Sequence, residues 1–205
     1  IYNMFINNFD PIALEFFSFE IRWYSLSYIF GILLAWIYCK KFLIRDEKVL
    51  NLFDDFISYA IIGLILGGRL GYIIFYNLSY YSKNISEIFM IWKGGMSFHG
   101  GLLGVIFATY IFSKKNNIKT FLFLDLISMT APIGIFLGRM ANFINSELYG
   151  RETDLLWAVK FEKIDNIFRH PSQIYEAIFE GIILFLLLNF LFKKQLYKSP
   201  GVISA

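Results

Sequence analysis

Five apolar runs account for much of the sequence, and they limit the folds open to this chain of 205 residues. A helix needs about 20 mostly apolar residues to cross a hydrocarbon core about 30 Å thick. Hydrophobic residues make up 57% of the chain and charged residues only 17%, against about 25% in ordinary soluble domains. The sequence therefore predicts an all-α fold, a polytopic integral membrane helical bundle with about five spans. The runs are Trp23 to Cys39, Phe56 to Tyr76, Phe98 to Phe112, Phe121 to Leu137 and Ala177 to Phe192.

Polar or basic connectors separate these runs, without a Ser/Gly-rich linker, a charge block or a second soluble region. A single transmembrane domain over residues 1–205 is the simplest organisation. The residues before the first run include Asp10, Pro11, Glu15 and Glu20, and they lack the basic start of a secretory signal peptide. We therefore expect no cleavable signal peptide, with the first span acting as the insertion signal.

Basic residues in the connectors predict the orientation, because Lys and Arg accumulate on the cytoplasmic side of a membrane. The connector between the second and third runs carries only Lys83 and Lys93. We therefore expect the N-terminus and the connector over residues 139–172 to lie outside. The basic residues after the first, third and fifth runs are Lys40, Lys41, Arg45 and Lys48, then Lys114, Lys115 and Lys119, then Lys193, Lys194 and Lys198.

Several classes of site are excluded or not indicated. Cys39 is the only cysteine, which excludes an intrachain disulfide, and we interpret it as a packing residue at the inner end of the first span. The cytoplasmic basic residues explain the formal net charge of +3, which indicates no nucleic-acid partner. No spacing of His, Asp and Glu indicates a metal site, and we expect no cofactor.

Glycines four residues apart occur in three of the runs. Small residues at this spacing let helices approach closely in lipid, where the hydrophobic effect does not drive helices together. We interpret all three pairs as sites of close helix crossing. The pairs are Gly67 with Gly71, Gly100 with Gly104, and Gly134 with Gly138.

Ionisable residues inside or at the ends of the runs need another explanation. A charge near the middle of a span costs from about 2.5 to well over 10 kcal/mol, so it is tolerated where it faces a cavity, a partner or water. His99 is followed by two glycines that leave backbone open beside the imidazole. It is either a general base or a helix-start histidine bonded to a nearby carbonyl. The ionisable residues are Arg69, His99, Asp125, Arg139 and Glu180.

The segment GRMANFINSELYG, residues 138–150, follows the fourth run and is dense in polar groups. Arg139 offers a planar set of donors suited to phosphate, and Asn142 and Asn145 can donate to phosphate or glycerol oxygens. Glu147 can accept from hydroxyls or orient the arginine. The alternative is that Arg139 only extends to the lipid headgroups, with Glu147 as an exposed partner.

A third polar segment, RHPSQIYEAIFEG, spans residues 169–181. Pro171 is suited to the first turn of a helix that leads into the fifth run. Glu176 and Glu180 are four residues apart, so both project from one helical face. Solvation at the interface explains Glu176 adequately, whereas Glu180 lies deeper in the span.

Together these segments resemble one family. HGGLLG, G-R-x-x-N-F-I-N-x-E-x-x-G and RHPSQIYE occur in the order and at the membrane positions typical of phosphatidylglycerol:prolipoprotein diacylglyceryl transferases. FDP at residues 9–11, RWYSLSY at 22–28 and LGGRLGYIIFYN at 66–77 extend the resemblance over nearly all of the chain. The arginine segment at residues 138–150 is the most discriminating of these motifs.

The resemblance implies an enzyme that moves a diacylglyceryl group from phosphatidylglycerol to the lipobox cysteine of a prolipoprotein. The products are a thioether and glycerol 1-phosphate, and no metal or cofactor is needed. His99 matches the proposed base and Arg139 the essential lipid-binding arginine, so these two are the predicted catalytic residues. The predicted substrate-binding residues are Arg139, Tyr24, Asn142, Asn145, Glu147, Gly150, Arg69 and Glu180.

The resemblance also implies a location and partners. It places the chain in the bacterial cytoplasmic (inner) membrane as a multi-pass protein, for which the basic connectors predict an N-terminus outside. The partners are phosphatidylglycerol, the signal peptide of a prolipoprotein and the lipid bilayer.

Two departures from the family leave alternatives open. The connector over residues 151–169 is shorter than in familiar members, and further spans with a second important arginine are expected after the final SPGVISA, so the sequence is interpreted as C-terminally incomplete. One alternative is an inactive lipid-binding remnant. Another is a transporter or channel in which Arg69, Asp125, Arg139 and Glu180 line a pathway, because intramembrane charges alone support a transport pathway as well.

Overall fold

The computed structural model describes residues 4–17, 19–194 and 196–204, and most of them are helical. We number the elements in chain order. The α-helices are α1 (Trp23–Tyr38), α2 (Glu47–Tyr76), α3 (Leu78–Tyr81), α4 (Phe98–Asn116), α5 (Thr120–Ile144), α6 (Ser172–Glu176) and α7 (Leu184–Phe192). The π-helical segments are Cys39–Leu43 and Ala177–Ile183, and the 3₁₀-helices are Ile85–Phe89 and Ile91–Lys93.

Four helical stretches are long and apolar enough to cross a membrane: Trp23–Leu43, Glu47–Tyr76, Thr120–Ile144 and Ser172–Phe192. They confirm the prediction of a helical membrane protein. The predicted third span also forms a helix, α4, but it is not among these four. Three glycines near its start and the polar residues 113–116 at its end shorten its apolar part.

The helices extend beyond the predicted runs. Helix α2 begins at Glu47, nine residues before the predicted start, because Asp46 accepts a hydrogen bond from the Val49 N–H and caps it. Helix α5 continues to Ile144 rather than ending at Leu137, so Arg139 and Asn142 lie in its last turns. It ends before Ser146, which has a positive φ of 59°.

Five short strands form two small sheets that the sequence analysis did not predict. They are β1 (Phe5–Asn7), β2 (Ile12–Phe16), β3 (Phe19–Arg22), β4 (Val159–Phe161) and β5 (Phe168–Arg169). Strand β1 pairs in parallel with β4, which pairs antiparallel with β5. Strands β2 and β3 form an antiparallel hairpin directly before α1.

The chain divides into two compact units. The first comprises Ile1–Lys41 and Ile127–Gln195, and the second comprises Phe42–Leu126 and Leu196–Ala205. The single transmembrane domain over residues 1–205 stays a prediction. Cys39 is buried in the first unit, as expected of a packing residue.

Glycines bring α2 and α4 together in the second unit. A Cβ added to Gly71 would lie 2.7 Å from the Gly100 Cα, and one added to Gly67 would lie 2.7 Å from the Gly104 Cα. Real side chains do not approach backbone atoms so closely, so these positions require glycine. The predicted close crossing is therefore confirmed for these two pairs.

The third glycine pair behaves differently, in the first unit. A Cβ added to Gly134 or Gly138 would meet no atom of the described residues within 4 Å. A Cβ added to Gly31 of α1 would instead lie 3.3 Å from the Gly134 Cα. The close approach of α1 to Gly134 thus depends on Gly31 having no side chain. At Gly138 the expected close crossing is absent from the described part of the chain.

Asp125 is fully buried in the second unit, where it accepts hydrogen bonds from residues near the end of the chain. Its carboxylate accepts from the Gly201 N–H at 2.7 Å, the Ile203 N–H at 3.3 Å and the Ser204 N–H at 2.9 Å. The Ser204 hydroxyl donates to it as well, at 2.7 Å. These four donors explain how the fold tolerates a carboxylate within an apolar helix.

Replacing Asp125 by leucine is expected to release residues 200–204, because three backbone N–H groups lose their acceptor. Asp125→Asn keeps one oxygen and is expected to have a smaller effect. Amide hydrogen exchange in residues 200–204 measures this, with an expected rise of about tenfold or more for the leucine variant. Asp55→Asn, at an exposed position of α2, is the control. Equal exchange in Asp125→Leu and the unmodified chain would contradict this assignment.

Candidate functional site

Arg139 lies near the end of α5 and is paired with two carboxylates of the first unit. Its Nε is 2.8 Å from the Glu176 Oε2, and its Nη2 is 3.9 Å from the Glu180 Oε2. The Arg139 side chain is 29% exposed, against 35% for Glu176 and 53% for Glu180. Glu176 and Glu180 therefore contact the same side chain, in agreement with the prediction that both project from one helical face. The sequence did not identify that side chain as Arg139.

A glycine explains how these carboxylates reach Arg139. Gly181 lies in the π-helical segment, and a Cβ added to it would be 2.7 Å from the Phe136 Cβ and 3.0 Å from the Phe136 Cα. The segment therefore packs directly against the α5 backbone one turn before Arg139. Any larger residue at position 181 would push the two glutamates away.

The turn after α5 is held by the polar residues of the arginine segment. The Glu147 N–H donates to the Asn142 carbonyl at 2.9 Å. The Asn142 Nδ2 donates to the Glu147 Oε2 at 3.0 Å, and the Asn145 Nδ2 donates to the Glu147 Oε1 at 3.3 Å. The two amides thus bind Glu147, so the turn is ordered by its own side chains.

Residues 170–173 hold this turn from the other side. The Gly150 N–H donates to the His170 carbonyl at 2.9 Å, and a Cβ added to Gly150 would lie 2.8 Å from the His170 Cβ. The fully buried Gln173 donates through its Nε2 to the Glu147 carbonyl. No role for Gln173 was predicted from the sequence. Its position in RHPSQIYE, beside Glu176, was the available signal.

Several acceptors in this region are buried without a hydrogen bond from the described residues. They are the Asn145 Oδ1, the Ser146 Oγ, the Gln173 Oε1 and the Glu176 Oε2. The Glu176 oxygen is at ion-pair distance from Arg139 without the angle of a hydrogen bond. Since buried polar atoms normally have a partner, the turn has acceptor capacity suited to hydroxyl or water donors.

Beyond the turn, the connector folds into a small substructure, called the cap here, that comprises β4, β5 and the paired strand β1. Phe143, Val159 and Phe161 form its buried apolar cluster. Asn7 of β1 is fully buried and donates to the Phe143 carbonyl at 2.7 Å, which satisfies a backbone acceptor near the end of α5. The cap therefore supports the helix end that carries Arg139.

An ion pair and a cation–π contact stabilise the edge of the cap. The Arg169 Nη2 is 2.5 Å from the Asp165 Oδ2, and the Arg169 guanidinium lies 4.9 Å from the centre of the Tyr149 ring. The hydrogen bond from Arg169, helped by the Ile167 N–H, holds the pKa of Asp165 below its ordinary value. The same hydrogen bond raises the pKa of Arg169.

Tyr24, a predicted substrate-binding residue, lies in the first turn of α1. Its side chain is exposed, and its hydroxyl is 3.2 Å from the Tyr28 hydroxyl. Within residues 4–17, 19–194 and 196–204, no hydrogen bond joins Tyr24 to Arg139. Its predicted role stays a prediction.

His99 and Arg69 belong to the second unit. Ser97 caps α4 by accepting from the Gly100 N–H, and His99 is the second residue of the helix. The His99 imidazole is exposed, touches the Phe98 ring edge-on at 5.6 Å and has no hydrogen bond within the described chain. Arg69 is 4% exposed, and all its hydrogen bonds among the described residues go to loop carbonyls.

Comparison with known proteins identifies the family. The family model described as prolipoprotein diacylglyceryl transferase matches residues 11–205. The chain belongs to this family. Its membership confirms the resemblance found in the motifs of the sequence, which all fall within or next to the matched residues.

Three relatives, each named phosphatidylglycerol–prolipoprotein diacylglyceryl transferase, are similar to this chain over most of its length. One from Ehrlichia ruminantium (strain Welgevonden) is 51% identical over 188 residues, covering 90% of this chain and 72% of the relative. One from Nitrobacter hamburgensis is 46% identical over 206 residues, covering 95% and 70%. One from Rickettsia typhi is 47% identical over 202 residues, covering 97% and 78%.

Proposed function

We propose that this chain transfers the diacylglyceryl group of phosphatidylglycerol to the cysteine thiol of a prolipoprotein lipobox. Membership of the transferase family carries this proposal. In the reaction, the sulfur attacks the glyceryl carbon that bears the phosphate ester. A C–S bond forms, the C–O bond breaks, and glycerol 1-phosphate leaves with the bonding electrons. The thiol proton goes to a base.

His99 is the proposed base. A thiolate is the attacking species, so the thiol must lose its proton at or before attack. The His99 imidazole is exposed at the start of α4, and no hydrogen bond within the described chain occupies its ring nitrogens. From the sequence, Gly100 and Gly101 are expected to leave backbone open beside it, but both are buried against α2, where a Cβ added to Gly100 would lie 2.9 Å from the Gly71 Cα.

Arg139 is the proposed contact for the phosphate, whose negative charge grows as the ester bond breaks. The short distance to Glu176 supports a role for that carboxylate in orienting the guanidinium. The longer distance to Glu180, together with the greater exposure of Glu180, makes this the contact that a phosphate displaces. Asn142, Asn145 and Glu147 then serve mainly to order the turn beside the lipid headgroup, and Gly150 lets the chain pack there.

The chain is a multi-pass membrane protein, and we propose the bacterial inner membrane with the N-terminus outside. The basic residues after the first, third and fifth predicted spans support this orientation. Phosphatidylglycerol and the prolipoprotein signal peptide are the proposed partners, and the proposed reaction needs no cofactor.

The transport alternative rests on charges within the spans, and local structure explains two of these charges, Arg69 and Asp125. Among the residues that the structure describes, Arg69 donates only to backbone carbonyls, and Asp125 accepts from backbone N–H groups and one hydroxyl. Both charges are thus explained by local structure rather than by a pathway for solute. The proposed transferase function accounts for the remaining ionisable residues, His99, Arg139 and Glu180, better than a transport function does.

Double-labelled phosphatidylglycerol tests the proposed reaction. The purified protein is incubated with a lipobox peptide and lipid that carries one isotope in the acyl chains and another in the headgroup glycerol. We expect the peptide to gain the acyl label and the headgroup label to appear in free glycerol phosphate. A peptide with serine in place of cysteine is the control. No mass gain by the cysteine peptide, or transfer of the headgroup label to it, would overturn the proposal.

A further inference from the structure

The loop between α3 and α4 is built around one buried side chain, Arg69 of α2. This loop, residues 82–97, contains the two short 3₁₀-helices and ends at the cap of α4. Its side chains are largely exposed, with Phe89 at 76% and Trp92 at 77%, so they do not form a core. Another interaction has to hold the backbone of the loop in place.

The Arg69 guanidinium supplies that interaction. Its Nε donates to the Ile88 carbonyl at 2.9 Å, its Nη1 to Gly94 at 2.5 Å and its Nη2 to Glu87 at 2.6 Å. Longer bonds join Nη1 to the Gly95 carbonyl at 3.2 Å and Nη2 to the Met90 carbonyl at 3.3 Å. A guanidinium has five N–H donors, so the five carbonyls use its full capacity and leave none for a phosphate.

Rings and glycines shape the loop around this side chain. The Tyr81 ring lies 5.0 Å from the Arg69 guanidinium carbon, which adds a cation–π contact. Gly94 and Gly95 have positive φ values of 79° and 81°, which turn their carbonyls toward Arg69. A Cβ added to Gly95 would lie 2.5 Å from the Tyr72 Cε1 and 3.1 Å from the Arg69 Nη1.

The loop continues directly into the helix that carries His99. The Ser97 N–H donates to the Gly68 carbonyl at 2.9 Å, next to Arg69 on α2. The Ser97 hydroxyl then caps α4 two residues before His99. The path from Arg69 to His99 therefore runs through a few hydrogen bonds of one compact unit.

We propose that Arg69 is a positioning residue that holds loop 82–97 and thereby the start of α4, where His99 lies, rather than a residue that binds the phosphate. This inference rests on the proposed function for the part that concerns His99. It replaces the substrate-binding role that the sequence predicts for Arg69. The guanidinium shape, not only its positive charge, is what the loop requires.

Arg69→Lys separates the two roles, because lysine keeps the charge but cannot reach five carbonyls. We expect kcat of transfer to fall about 100-fold with the KM for phosphatidylglycerol nearly unchanged, since a displaced base slows the chemical step without weakening lipid binding. Amide hydrogen exchange in residues 84–97, measured without substrate, is expected to rise about tenfold. Lys83→Gln removes an exposed cation of the same loop and should change neither measurement.

A raised KM with unchanged kcat and unchanged exchange would overturn the inference and restore a substrate-binding role. Exchange is measured on the protein without substrate, so it tests the role of Arg69 in the loop even if the unmodified chain shows no transfer. Absence of transfer by the unmodified chain would count against the proposed function alone. Arg69→Ala is a second variant, with faster exchange expected than in Arg69→Lys. If its exchange matches that of the unmodified chain, the inference fails.

Discussion

Replacing Arg139 by alanine is expected to lower the rate of diacylglyceryl transfer by about 10²–10³-fold, because the leaving phosphate loses its charged donor. Arg139→Lys keeps a positive charge without the planar set of donors, so an intermediate loss is expected. Initial rates with labelled phosphatidylglycerol and a lipobox peptide measure both variants. The effect should appear in kcat/KM, since the contact strengthens as charge develops on the phosphate.

Arg22→Ala is the matched control for this experiment. Arg22 belongs to the same unit, its side chain is 61% exposed, and it forms an ion pair at the surface with Glu20. Exposed pairs of this kind contribute about 0–1 kcal/mol, so both folding and transfer should be retained. Near-normal transfer by Arg139→Ala in a correctly inserted protein would refute the assigned role of Arg139.

Gly67→Val is expected to prevent stable packing of α2 on α4. The added Cβ would meet the Gly100 carbonyl oxygen and lie 2.7 Å from the Gly104 Cα. Overpacking usually costs about 1–3 kcal/mol, and the upper end or more is expected here because backbone atoms cannot rotate away. The thermal midpoint of the purified protein in detergent micelles should fall sharply, together with the yield of the folded protein.

The matched control is Gly134→Ala, also a glycine within a membrane helix. A Cβ at position 134 would meet no atom of the described residues within 4 Å, and alanine favours helix over glycine by about 1 kcal/mol. Its thermal midpoint should equal or exceed that of the unmodified protein. Equal stability of Gly67→Val and Gly134→Ala would show that the α2–α4 contact is looser than described.

The helical architecture could be predicted because each membrane span can be recognised from the apolar residues of its own short segment. Each apolar run predicts a helix independently of the rest of the chain, since backbone groups in lipid must be satisfied within the segment. The helix ends were less certain because polar residues continue a helix wherever they find partners. Arg139 is an example, since α5 extends past it to a turn closed by Asn142 and Glu147.

The unpredicted features depend on contacts between distant parts of the sequence. Nothing near residues 159–161 indicates that they pair with residues 5–7. In the same way, a charge in a span indicates that a partner exists but not which one. Arg139 pairs with carboxylates about 40 residues later, and Arg69 binds carbonyls, which every residue carries and no sequence pattern reveals.

The pairing of β1 with β4 sets an order of events during synthesis. Phe5 of β1 cannot pair with Val159 of β4 until the ribosome has synthesised the chain as far as β4. At about 5–20 residues per second, a ribosome needs roughly 8–30 s to make the intervening chain. The first strand thus stays unpaired until the connector has been made, so the support that Asn7 provides to the end of α5 forms late.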